Sequence, residues 1–91
     1  MNTRYQRHPE LRLAPVEEEG VVLHLGTRRY FTVNDTGLTL LEALASPQTF
    51  DDLVAALVGR YDVTAAGAQE SVREFIDRCL AAELLRVEGH A

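Results

Sequence analysis

The sequence predicts an α+β domain in which a three-stranded antiparallel sheet is followed by three helices, a winged-helix-like arrangement. Three observations predict it. From Leu11 to Val33 the apolar residues alternate or form short β-branched runs, and from Leu38 onward they recur at helical spacing. The boundary between the two patterns is Asn34-Asp35-Thr36, whose side-chain oxygens can cap a helix start.

Residues 1–10 show no apolar period and are expected to be a flexible N-terminal arm, leaving 11–87 as the folded domain. Leu11, Leu13 and Pro15 alternate with Arg12 and Ala14, which suits an edge strand ending at a residue that cannot donate to a ladder. Glu17 to Gly20 supplies a turn. Val21 to Leu25 is the second strand, Gly26 and Thr27 the next turn, and Arg29 to Val33 the third strand of a meander. That last strand is an edge, has no proline and carries charge only at its start, Arg28 and Arg29, so it can accept a further strand. Leu38, Leu41, Leu44 and Ala45 make a short first helix stopped by Ser46 and Pro47. Thr49 with Asp52 approximates a capping box, and Phe50, Leu53, Val54, Leu57, Val58 and Tyr61 form the apolar stripe of the second helix. Thr64 can cap the third, along which Val72, Phe75, Ile76, Cys79 and Leu80 repeat. Leu84, Leu85 and Val87 form an apolar tail before Glu88 to Ala91, where the chain is expected to fray.

Composition narrows the function. The net charge of −5, with no lysine among the nine basic residues, disfavours nucleic acid as a partner. No apolar run approaches the roughly 20 residues that span a bilayer, so no membrane partner is expected, and with no signal peptide in view the expected location is cytoplasmic. Cys79 is the only cysteine and sits in the apolar stripe, where a thiol is usually an inert hydrophobe. His8, His24 and His90 have no metal or catalytic spacing. The chain is therefore expected to have no catalytic residue, no metal and no cofactor, and not to be an enzyme.

The run Arg29-Tyr30-Phe31-Thr32-Val33-Asn34-Asp35-Thr36-Gly37, followed by Leu38, Leu40, Leu41 and Leu44, resembles the PqqD-like proteins. These are also called RiPP recognition elements, after the ribosomally made and modified peptides they serve. The likeness is greatest to stand-alone members from lasso-peptide biosynthesis. It continues through Thr49-Phe50-Asp51-Asp52-Leu53-Val54, Tyr61-Asp62-Val63 and Val72 to Leu80, and covers about Val21 to Leu85. Glu83 departs from it, since many relatives have Gly before the final leucines, and a different end to the third helix is expected here.

The resemblance implies that a precursor's leader peptide adds as an antiparallel strand to the third strand, in the groove between that strand and the third helix. The implied partners are the precursor leader, a leader peptidase and a cyclase. The implied site residues are Arg29, Tyr30, Phe31, Thr32 and Val33, whose backbone would pair with the leader, with Val72, Phe75, Ile76 and Leu80 as groove candidates. Arg73 is the candidate partner for an acidic leader residue. Each of these side chains has a plainer reading, core packing for the apolar ones and a solvated charge for Arg73. Two other functions remain open: a winged-helix DNA binder reading with its third helix, and a PqqD-type peptide chaperone for a radical enzyme.

Overall fold

The computed structural model describes residues 3–17 and 19–88. Its elements run β1 (Arg4–Arg7), β2 (Leu11–Val16), β3 (Glu19–His24), β4 (Arg29–Val33), α1 (Asp35–Ala43), β5 (Gln48–Thr49), α2 (Phe50–Arg60), α3 (Ala65–Ala81) and β6 (Leu85–Glu88). The expected meander is present as an antiparallel sheet of order β2–β3–β4, and the three helices follow it. Inward residues of the sheet, Leu11, Val22 and half-buried Phe31 and Val33, pack on Leu40, Leu41 and Leu44, and Leu53, Leu57, Val72 and Ile76 from α2 and α3 complete the core. Val22, Leu41, Leu44, Leu53 and Val72 are fully buried. Each such side chain contributes about 1.5–3 kcal/mol. Gly20 lets β3 approach α1 closely, since a Cβ there would stand 2.8 Å from Leu38 Cδ1.

The N-terminal segment departs from expectation. Arg4–Arg7 is not a free arm but the centre of a second sheet of order β5–β1–β6, paired from Arg4 with Thr49 and Glu88 to Arg7 with Leu85. Arg7 N–H also donates to the Leu44 carbonyl at 2.9 Å and His8 N–H to that of Leu84 at 2.8 Å. Glu88, expected to fray, pairs with Arg4. Met1, Asn2 and residues 89–91 lie outside the described residues. The segment escapes pattern reading because only Tyr5 in it packs on the core, and its partners lie more than forty residues away.

All three helix starts are capped as their sequences imply. Asn34 accepts from Gly37 N–H, Thr64 from Gly67 N–H, and Thr49 and Asp52 form a reciprocal capping box at 3.0 Å each way. The end of α3 corrects the other expectation. Glu83 adopts φ 62°, Leu84 N–H donates to the Cys79 carbonyl at 2.8 Å and Glu83 N–H to that of Leu80 at 3.2 Å, the bond pair of a Schellman cap. The cap a glycine would make is thus made by a glutamate, at the steric cost of a left-handed conformation, roughly 1–2 kcal/mol.

Two predictions follow from the caps. Glu83→Gly relieves that cost, partly offset by the freer unfolded chain, and is expected to add about 0.5–1 kcal/mol. In thermal denaturation this is a rise in Tm of a few degrees. The Thr49 backbone N–H, and then its hydroxyl, hold the Asp52 carboxyl below its usual 3.8. Because the folded value is the lower one, the capping contribution is present above pH 3.8 and is lost as pH falls through the folded value. The Tm difference between the native chain and Asp52→Ala should therefore be full at neutral pH and shrink below that point.

Candidate functional site

The backbone of β4 can be assigned from its neighbours. Leu25 N–H donates to the Glu10 carbonyl at 3.0 Å, so Leu25 faces β2 and His24, one residue earlier, faces β4. The Arg28 N–H to His24 carbonyl bond at 2.8 Å agrees. With His24 opposite Arg29 and Val22 opposite Phe31, alternation turns the N–H and C=O of Arg29, Phe31 and Val33 inward to β3. Those of Tyr30 and Thr32 point outward, and among the described residues no strand pairs on that side.

Beside this edge lies a groove of about 400 Å³. Phe31, Thr32, Val33 and Asn34 form one wall, and Phe75, Arg78 and Cys79 of α3 with its C-cap Ala82 form the other, with Gly37 and Leu84 also lining it. Gly37 keeps one end open, since a Cβ there would meet Val33 Cβ at 3.2 Å and Phe75 Cε1 at 3.5 Å. The other end is fixed by a latch. Gly26 and Thr27 N–H both donate to Nδ1 of buried His24, which leaves Nε2 as the protonated nitrogen, 3.1 Å from the Glu83 carbonyl. The imidazole thereby joins the β3–β4 hairpin to the end of α3.

The structure brings Phe31, Thr32, Val33 and Phe75 together in this groove and leaves other candidates outside it. Arg29 and Tyr30 lie on β4 but do not line the cavity, and the Tyr30 side chain, 73% exposed, stands on the outer face of the sheet. Val72 is fully buried in the core and offers a peptide nothing to touch. Arg73 and Ile76 line a separate hollow with Tyr5 and Phe50, and the Arg73 guanidinium lies 5.5 Å from the Phe50 ring centre. At about 100° per residue, Leu80 falls on the Ile76 side of α3, away from Phe75. The cation beside the groove is Arg78 rather than Arg73. Asn34, Gly37, Arg78, Cys79, Ala82 and Leu84 also line the groove and are not among the residues the sequence marks as candidates. Arg78 lies three residues after Phe75, a neighbouring helical position that marks it once the Phe75 margin is known to be the open one.

Among the described residues Arg78 is the only charged side chain in the groove lining, so the chemistry of the groove suits a largely apolar segment that carries an acidic group. Burial pushes the Cys79 thiol up to about 12, which keeps it protonated and a poor nucleophile. Among the described residues no group of three or more His, Cys, Asp or Glu side chains is placed to hold a metal.

The family model for coenzyme PQQ synthesis protein D (PqqD) matches residues 19–85. The chain belongs to the PqqD family. Two solved structures are similar to this PqqD-family protein over nearly its whole length. One, described as TbiB1 in complex with the TbiA(beta) leader peptide, has 26% identity and a TM-score of 0.77, covering 94% of this chain and 98% of its own. The other, a lasso peptide synthetase B1 complexed with its leader peptide, has 18% identity and a TM-score of 0.74, covering 90% and 96%. No curated protein sequence matches.

The burial of Cys79 in this PqqD-family protein predicts its chemistry. A thiol reagent such as DTNB should react with the native chain far more slowly than with the urea-unfolded chain at the same pH, as read by absorbance.

Proposed function

We propose that this chain binds the leader segment of a ribosomally made precursor peptide by strand addition to β4 and delivers it to a leader peptidase or another maturation enzyme, such as a cyclase, in lasso-peptide biosynthesis. One observation carries the reading: the outward N–H and C=O groups of Tyr30 and Thr32 run along a groove with apolar walls. An added strand would take up those groups, and its alternate side chains would point into the groove beside Phe31 and Val33. Two similar structures carry leader peptides, which supports the same use of the fold here.

Delivery is the second half of the proposal. Leu23 lies opposite Tyr30, and Val21 opposite Thr32, on the outer sheet face, where Leu23 and Tyr30 are exposed. That apolar face adjoins the leader edge, so an enzyme seated on it would meet the bound peptide directly. Holding peptide and enzyme on one platform raises their local concentration without any catalytic group in the adaptor. Ribosomal precursors are made in the cytoplasm, and the adaptor acts there on this reading.

The DNA-binding alternative gains nothing from α3, whose solvent side sets Glu74 and Asp77 beside Arg73 and Arg78. The radical-enzyme chaperone shares the peptide-binding step and differs only in its client.

Thr32→Pro tests the edge. It removes an outward amide, leaves every bond to β3 in place and strands a leader carbonyl, so affinity for a fluorescent leader peptide should fall about tenfold or more. The far-UV circular dichroism should stay native. Unchanged polarisation titrations with a folded variant would count against strand addition at β4.

A further inference from the structure

The opposite edge of the same sheet borders a different kind of cleft. It has a volume of about 460 Å³ and is lined by Arg7 of β1, Arg12 of β2 and Arg86 of β6, together with His8. Among the described residues no carboxylate stands in its lining, although the chain as a whole has a net charge of −5. Main-chain carbonyls hold two of these guanidinium groups in place. Arg7 Nη1 donates to Leu41 at 3.0 Å, and Arg12 Nη1 donates to Pro9 and Leu11 at 3.1 and 2.9 Å. A guanidinium has five N–H donors, so each keeps most of them for a ligand.

The register supplies a main-chain partner in the same place. Because His24 faces β4, its partner Leu11 faces away from β3, and alternation turns the N–H and C=O of Leu13 the same way. Leu13 lines the cleft, and among the described residues no strand pairs beyond β2. Pro15, two residues on, has no N–H to offer and ends the usable edge.

Charge and shape together select the ligand class. Carboxylates spaced along an extended chain suit cations contributed by three different strands, and the apolar wall of Pro9 and Leu13 suits the side chains between them. We propose that this cleft is a second recognition site, which takes an extended acidic segment of a partner protein, paired to the Leu13 main chain and held by Arg7, Arg12 and Arg86. It lies on the β2 side of the sheet, so it neither competes with the β4 groove nor depends on what that groove binds.

The test uses a fluorescein-labelled peptide of alternating Glu and Leu, its Lys-Leu counterpart and pyrophosphate, with the full chain. The Glu-Leu peptide is expected to bind and the Lys-Leu peptide not to. Binding should weaken steeply as ionic strength rises from about 0.05 to about 0.5 M. Arg12→Glu with Arg86→Glu should lower its affinity at least about tenfold, while Thr32→Pro leaves it unchanged. Arg86→Glu alone, at an exposed strand position, gives a smaller loss in the same direction and guards against misfolding of the double variant. Absence of binding, equal binding to a folded double variant, or loss in Thr32→Pro instead would each overturn the proposal. Displacement by pyrophosphate at far lower concentration than by unlabelled peptide would overturn it in favour of a compact-anion site.

Discussion

In an antiparallel ladder each residue directs both its main-chain polar groups to one side, and the central strand β3 satisfies two neighbours by alternating. Nothing in that rule provides for the far side of β4. Tyr30 and Thr32 must leave their groups to water or to another chain, and the candidate site follows from this. The edge is usable because β4 is held firmly: Phe31 and Val33 pack on the leucines of α1, and the inward half of the strand's bonds go to β3. A mobile edge would have to be ordered before it could pair, at a cost of roughly 1–2 kcal/mol per residue.

The second wall of the groove depends on where α3 stops. Its end is set twice, by the Schellman bonds from Glu83 and Leu84 and by the His24 imidazole that reaches the Glu83 carbonyl. Glu83 holds a left-handed conformation between these constraints, and Leu84 and Leu85 then carry the chain into the core and on to β6. Strain tolerated at one residue thus fixes the distance between hairpin and helix. Such a fixed gap loses little freedom when a ligand enters, which is the physical content of preorganisation.

Elements with local signals were legible in the sequence. Asn34, Thr49 and Thr64 mark the three helix starts because an N-cap is chemistry among adjacent residues, and the β2–β3–β4 meander shows because its turns are short. The β5–β1–β6 sheet was not legible: Arg4-Tyr5-Gln6-Arg7 has no period, and Arg4 pairs with Thr49 and Glu88. That omission also hid half of the site. The apolar arc of α3 is broad because one margin meets the groove and the other faces Tyr5 and Phe50. Without β1 there was no reason to give Phe75 to the groove and Ile76 to the other side, or to prefer Arg78 over Arg73. The β4 edge could be read without β1, because its polar groups follow from the register of the meander alone.

On the proposed reading the strand edge and the groove would contribute differently to binding. Two outward residues offer four main-chain hydrogen bonds, with a net worth of about 0.5–1.5 kcal/mol each. Ordering four or five residues of a flexible leader costs roughly 1–2 kcal/mol apiece, so the pairing alone falls short of that cost. An affinity between micromolar and nanomolar needs about 8–12 kcal/mol. The surplus must come from side chains buried against Phe31, Val33, Phe75 and Ala82, at about 25 cal/mol per Å². On the proposed reading, strand addition would therefore set the direction and register of the peptide, while the groove would supply the free energy and with it the choice of sequence. A segment that satisfied the edge but left the groove empty would be held in the right place too weakly to be delivered.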